Sequence, residues 1–229
     1  MSKFVSALTF ASILIGTSAY AGIAIVADNG TSSGRITNAS SYPVNLPTGV
    51  SDGNLVVVAI ASDNYEPLAA EGYTARVQQG FKADSKGCFE FYHVWKAGDS
   101  ISPIFSRATT GSDAYAVVAL SGVSPGEFVD VATGTSSELG TLVNLPAITT
   151  HSQNDLDVYA SCAEAGASFL NPSVGSIAVQ QAGTSSSVAI ITFTQATEGL
   201  LRTQSAFMDT SLFNGVAMMA LIAAAPSTD

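Results

Sequence analysis

Along the chain, short apolar runs alternate with polar turn signals at close spacing, and no segment carries a strong helical period. The runs predict strands over residues 22–27, 55–62, 88–95 and 115–120, and again over 156–162, 177–181, 188–194 and 216–223. Between them stand breakers such as Asp28-Asn29-Gly30, Pro47-Thr48-Gly49, Asp52-Gly53, Ala97-Gly98-Asp99 and Ser124-Pro125-Gly126. Glycine tolerates positive φ, proline fixes its own, and Asn or Asp bonds the nearby backbone, so each cluster turns the chain. The expected fold is all-β, a single two-sheet β-sandwich of jelly-roll type.

The pattern also repeats. Val44-Asn45-Leu46-Pro47 recurs 99 residues later as Val143-Asn144-Leu145-Pro146. Each copy is followed by a polar turn and then a strand, Asn54-Leu55-Val56-Val57-Val58-Ala59 in one case and Asp155-Leu156-Asp157-Val158-Tyr159-Ala160 in the other. Phe91–Ala97 aligns with Ile190–Ala196, and Ala116–Leu120 with Ala217–Leu221. Four matches in one order divide a domain of residues 22–229 into two weakly similar halves, about 22–125 and 126–229. Each half is expected to supply comparable strands to two facing sheets, because neither would bury both faces alone.

Composition sharpens this. The 229 residues are 47% hydrophobic and 11% charged, which excludes intrinsic disorder. Glu, Lys and Arg are too scarce to solvate long amphipathic helices. The net charge of −10, from 18 acidic and 8 basic residues, comes without a Lys/Arg cluster. Nucleic acid and anionic membrane are therefore poor partners, and the acidity is read as a solubility device. Cys88 and Cys162 are too few for a disulfide framework; buried free thiols are the preferred expectation, with a single bridge left open. Residues 1–21 carry Lys3, an uncharged stretch and a Ser18-Ala19-Tyr20-Ala21 ending before Gly22. Two readings stand: a secretory signal cleaved at Ala21-Gly22, or an N-terminal arm.

Candidate chemistry is thin. The two histidines, His93 and His151, lack a partner His at i+2 or i+4 and a cysteine pair nearby, so zinc is not expected and both are given structural roles. Strand alternation puts His93 with Phe89, Phe91 and Trp95 on one face. Gly30-Thr31-Ser32-Ser33-Gly34 fits the nucleophile-elbow spacing, but the following residues make a poor helix and the match is dismissed. Glu90, Asp99, Asp113, Glu127, Asp155, Asp157 and Glu164 are the carboxylates a glycosidase could draw on. Most of them flank turn signals, and no dense acidic motif accompanies the lone tryptophan. Asp28-Asn29-Gly30 and Asp52-Gly53-Asn54 lack the spaced carboxylates of a legible calcium loop. No catalytic, cofactor-binding or metal-binding residue is assigned, and no cofactor is expected.

Residues 22 to about 123 add one further element. Gly-Ile-Ala-Ile-Val at 22–26 is followed by Leu46-Pro47-Thr48-Gly49-Val50-Ser51-Asp52-Gly53-Asn54-Leu55-Val56-Val57, then Gly72-Tyr73-Thr74. Phe91-Tyr92-His93-Val94-Trp95-Lys96-Ala97-Gly98 and Ala119-Leu120-Ser121-Gly122-Val123 complete the order. This series resembles a group of tailed-bacteriophage virion structural proteins, with Asn54 standing where the pattern has Asp. The resemblance implies a non-enzymatic β-sandwich on the virion exterior, as capsid decoration, tail-associated or fibre protein. Its partners would be other virion proteins or copies of itself, with a host-surface glycan as a further candidate. The alternative from the residues themselves is a secreted binding module, carbohydrate-binding or adhesive, presenting Tyr65, Tyr73 and Trp95. A sandwich-fold glycosidase is the third reading.

Overall fold

The computed structural model describes residues 22–27 and 29–225, with the backbone alone at 137 and 138. The signal-like segment 1–21 and Asp28 lie outside the described residues. The strands are β1 (Ala24–Ile25), β2 (Thr31–Pro43), β3 (Leu55–Ser62), β4 (Ala69–Ala70), β5 (Thr74–Phe81), β6 (Lys86–Val94) and β7 (Ile104–Ser121). The second half continues with β8 (Val129–Leu145), β9 (Ile148–Thr150), β10 (Asp155–Glu164), β11 (Phe169–Leu170), β12 (Ser176–Gln181), β13 (Ser186–Gln195), β14 (Gly199–Leu201) and β15 (Gln204–Leu221).

Each half forms one sheet. The first runs β2-β7-β3-β6-β5, with β1 and β4 also on β7; the second runs β8-β15-β10-β13-β12, with β11 on β15. The two orders are the same once β2, β7, β3, β6 and β5 are matched to β8, β15, β10, β13 and β12. All of these pairings are antiparallel. The molecule is thus a two-sheet β-sandwich. It differs from the expectation in one respect: the halves do not share the sheets, because every long-range pairing of β3, β6 and β7 stays inside its own half.

The sheets meet across an interface with approximate twofold character. β13 packs on β7 and β3, and in return β6 packs on β15 and β10. Leu55, Val57, Ala59, Ala116, Val118 and Leu120 face Leu156, Val158, Ala160, Ile190, Ala217 and Met219 in one core. Many of these are alanines, so the sheets meet on short side chains. Cys88 of β6 and Cys162 of β10 are joined across this interface by a disulfide, with Cα atoms 5.6 Å apart. The expectation of free thiols is corrected here. The two residues are 74 apart in sequence, and only the facing of the two sheets brings them together. Glu90 projects from β6 into the same core, two residues along from Cys88, and is fully buried. Burial pushes its carboxyl well above the usual carboxylate range, so it sits there neutral.

Each sheet buries its outer face as well, which is why β3 is buried along its whole length. Runs buried on both faces read as continuous apolar stretches rather than alternation. The cover comes from the far ends of the long strands. In the first half, β2 and β7 lose register between Ile36 and Ser41 and bend, bringing Tyr42, Val44, Leu46 and Phe105 over Val56, Val58, Ile60, Phe89 and Phe91. In the second, β15 shifts register against β8 between Phe207 and Asn214. Val143, Leu145, Ala206 and Met208 then pack with Tyr159, Ala189, Ile191 and Met218.

The two bends are held differently. Arg107 donates to Ser62 Oγ at 2.5 Å and to Asp113 Oδ1 at 3.0 Å, with both charged side chains fully buried. Gly111 lies against the guanidinium, where a Cβ would come within 2.2 Å of Nη2. In the second half the position matching Asp113 is Asn214, whose Nδ2 donates to the Leu142 carbonyl at 3.2 Å.

Candidate functional site

The first half carries a cleft of about 510 Å³ at the end of β6, lined by Glu71, Tyr73, His93, Asp99, Ser100 and Ile104 among others. Its frame is built by local chemistry. Asp99 Oδ2 accepts the Lys96 N–H at 2.7 Å and closes the turn after β6, while Gly98 takes the positive φ (102°) that the turn requires. The same oxygen lies 2.8 Å from His93 Nε2, and His93 Nδ1 lies 2.8 Å from the Gly72 carbonyl. His93 and these turn bonds hold the Asp99 carboxyl below its usual range. The His93 ring packs 4.9 Å from Tyr73, which packs 5.3 Å from Phe105.

Both partners of His93 are oxygen acceptors, the Asp99 carboxylate at Nε2 and the Gly72 carbonyl at Nδ1. Both ring nitrogens are therefore engaged within the protein, and the serines are tied as well. Ser102 Oγ donates to Asn45 Oδ1 at 3.0 Å, and Ser100 Oγ accepts the Ser102 N–H at 3.1 Å. The ring is thus clamped between a carboxylate and a carbonyl at the edge of a polar cleft. The cleft offers carboxylate oxygens and hydroxyls over an apolar wall of Tyr73 and Ile104, which suits a neutral, hydroxyl-bearing ligand.

The other sequence candidates separate. Trp95 and Tyr73 pack against the outer core, and neither is a free platform. Tyr65 is 38% exposed, with its hydroxyl donating to the Gln78 carbonyl. His151 sits with Asp130, whose Oδ2 accepts the His151 N–H at 2.5 Å while Oδ1 lies 2.9 Å from Nδ1. Of the seven carboxylates, Glu90 is sealed in the core, Asp113 is paired with Arg107, and Glu164 is paired with Lys82. Only Asp155 and Asp157 stand together, on one face of β10. Asp52 Oδ1 accepts from the Ala97 N–H, and Asn54 Oδ1 accepts from the Ser51 N–H and hydroxyl, so both oxygens serve turns. Among the described residues, no group of three His, Cys, Asp or Glu side chains is placed to hold a metal ion. Gly30–Gly34 runs into β2, where Gly34 lies under the Tyr115 ring; a Cβ there would come within 2.5 Å of it.

One surface feature escaped the sequence reading. Leu142, Phe207 and Leu170 are neighbours across β8, β15 and β11, since Phe207 pairs with both leucines. All three are exposed by 42–44% and form an apolar row on the outer cover of the second half. The leucines lie in short or polar-flanked segments, and the row exists only through register. No family model, curated protein or solved structure matches this chain.

Proposed function

We propose that this protein is a non-enzymatic structural component of a tailed-phage virion exterior, in a decoration or tail-associated position. The observation that carries the reading is the apolar row Leu142–Phe207–Leu170, a contact surface for other virion proteins or for a second copy. Exposed apolar side chains aligned on three adjacent strands are costly to leave in water and mark interaction sites. The motif order from Gly22 to Val123 and the tied His93 support the same reading. A virion role predicts that the protein co-purifies with intact particles at a fixed copy number, and that Phe207→Asp reduces its occupancy. Absence from purified particles overturns it.

A second reading is an exported binding module, favoured by the inter-sheet disulfide together with Ala19-Tyr20-Ala21. Disulfides persist in oxidising compartments outside the cytosol. The His93 cleft would then hold a glycan. N-terminal sequencing and intact mass of the native protein separate the two: a chain starting at Gly22 favours export, and one starting at Met1 or Ser2 favours the virion.

A further inference from the structure

The outer face of β10 is unlike that of its counterpart β3. In register, Asn54, Val56, Val58 and Ile60 correspond to Asp155, Asp157, Tyr159 and Ser161. The first set is apolar beyond an Asn whose side-chain oxygen is bonded. The second is a polar column, fully buried, in which both carboxyls, the Tyr159 hydroxyl and the Ser161 hydroxyl have no hydrogen-bond partner at standard distance. Gln195 Oε1 stands opposite Asp155 and is likewise unpartnered. Among the described residues, no lysine or arginine is set against these acids. The charged and titratable groups facing them are Asp130 from β8, His151 from the turn after β9, and Tyr159 from β10 itself. β13 and β15 present Gln195, Phe193, Ala220 and Met218 beside them, none of which titrates. Glu198 and Arg202 flank β14 and are exposed.

Beside this column lies the ribbon of β9 and β14, a two-stranded sheet hydrogen-bonded to each other and to neither main sheet. Its attachments converge on the acids. His151, directly after β9, is held by Asp130 through ring and backbone. Gln195, opposite Asp155, donates to the Thr197 and Gly199 carbonyls at the start of β14. Ile148 and Leu201 pack in the same cluster as Tyr159.

We propose that Asp130, Asp155 and Asp157 form a proton-dependent latch for the β9–β14 ribbon, closed while the two β10 carboxyls are neutral and loosened when they ionise. Burial is the main cause that pushes Asp155 and Asp157 up to about 7, with the neighbouring Asp130 carboxyl adding to the shift of both. An open ribbon returns them to water and to ordinary values near 4. Opening therefore releases protons and becomes easier as pH rises from about 4 to about 7, then levels off.

Amide hydrogen exchange at pH 5 and pH 8, corrected for intrinsic rates, tests this. Protection of residues 148–150 and 199–201 should fall by at least about tenfold at pH 8. The matching first-half segments, 49–51 and 98–101, should hold steady, and the D155N/D157N double variant should show no change at the ribbon. A ribbon whose protection ignores pH, or responds equally in the double variant, overturns the latch. Should that variant fail to fold, carboxyl-carbon NMR titration of the unsubstituted protein decides. Midpoints near 7 for both residues support the latch, and midpoints near 4 end it.

Discussion

The two halves share a strand order and differ in what they bury. In the first, the acid under the outer cover is met by a cation: Arg107 meets Asp113 and Ser62, and Asn54 meets Ser51, while the Tyr42 hydroxyl and Asp113 Oδ2 stay unpartnered. In the second, Asp155, Asp157, Tyr159 and Ser161 fill the matching face without partners, and Asn214 replaces the ion pair at the bend. One topology thus tolerates either an ion pair or a column of uncompensated acids under its outer cover. Unpartnered buried carboxyls persist by staying protonated: Glu90 does so between the sheets, and Asp155 and Asp157 do so under the outer cover of the second half.

Four experiments press on that contrast. The largest effect is expected from proton linkage. The folded-state values of Asp155 and Asp157 are raised, so the native state holds protons that the unfolded chain has released. Their contribution is fully present below about pH 4 and is lost as pH rises to about 7, on the order of several kcal/mol for the two carboxyls together. Denaturant melts from pH 4 to 8 should show this fall, and Asp157→Val, which copies Val56, should reduce it, leaving the share of Asp155 and Glu90. Next is the bend. Arg107→Ala strands the buried Asp113 and should cost about 3–5 kcal/mol, whereas Asn214→Ala removes a single neutral bond and should cost about 1 kcal/mol. Equal losses would mean that the bends are held alike.

Third, Cys88→Ala/Cys162→Ala should lower stability by about 2–4 kcal/mol through the freed unfolded chain, with the fold retained, as chemical denaturation would measure. The smallest effect belongs to the surface: Phe207→Ser should change stability by less than about 0.5 kcal/mol while reducing particle occupancy. A large loss of stability would place the apolar row in the core rather than at a contact.

Much of the sandwich was legible. Leu55–Ser62 appears with the boundaries its apolar run predicts, 156–162 and 188–194 fall inside β10 and β13, and 88–95 overruns the end of β6 by one residue. β2 and β8 were not legible, because their Ser, Thr and Gly pattern is that of turns, and β5 was not because Arg76, Gln78 and Gln79 break any apolar run; their strand state is imposed by pairing with β7, β15 and β6. The same holds for the first half of β15, which carries Phe207. The disulfide was unreadable since its cysteines stand in different halves. Asp155 and Asp157 alternate with Leu156 and Val158, as on a half-exposed strand; only the cover from β8 and the neighbouring segments turns that polar face into an interior.

The disulfide has a mechanical consequence. Since each half closes its own sheet, the chain crosses between halves through residues 122–128, and Cys88–Cys162 is the second covalent crossing among the described residues. A protease cut in that connection leaves one molecule, separable only by reduction. A force drawing the sheets apart is carried by the bridge as well as by apolar contacts, so the sandwich resists peeling in an oxidising medium and yields in a reducing one.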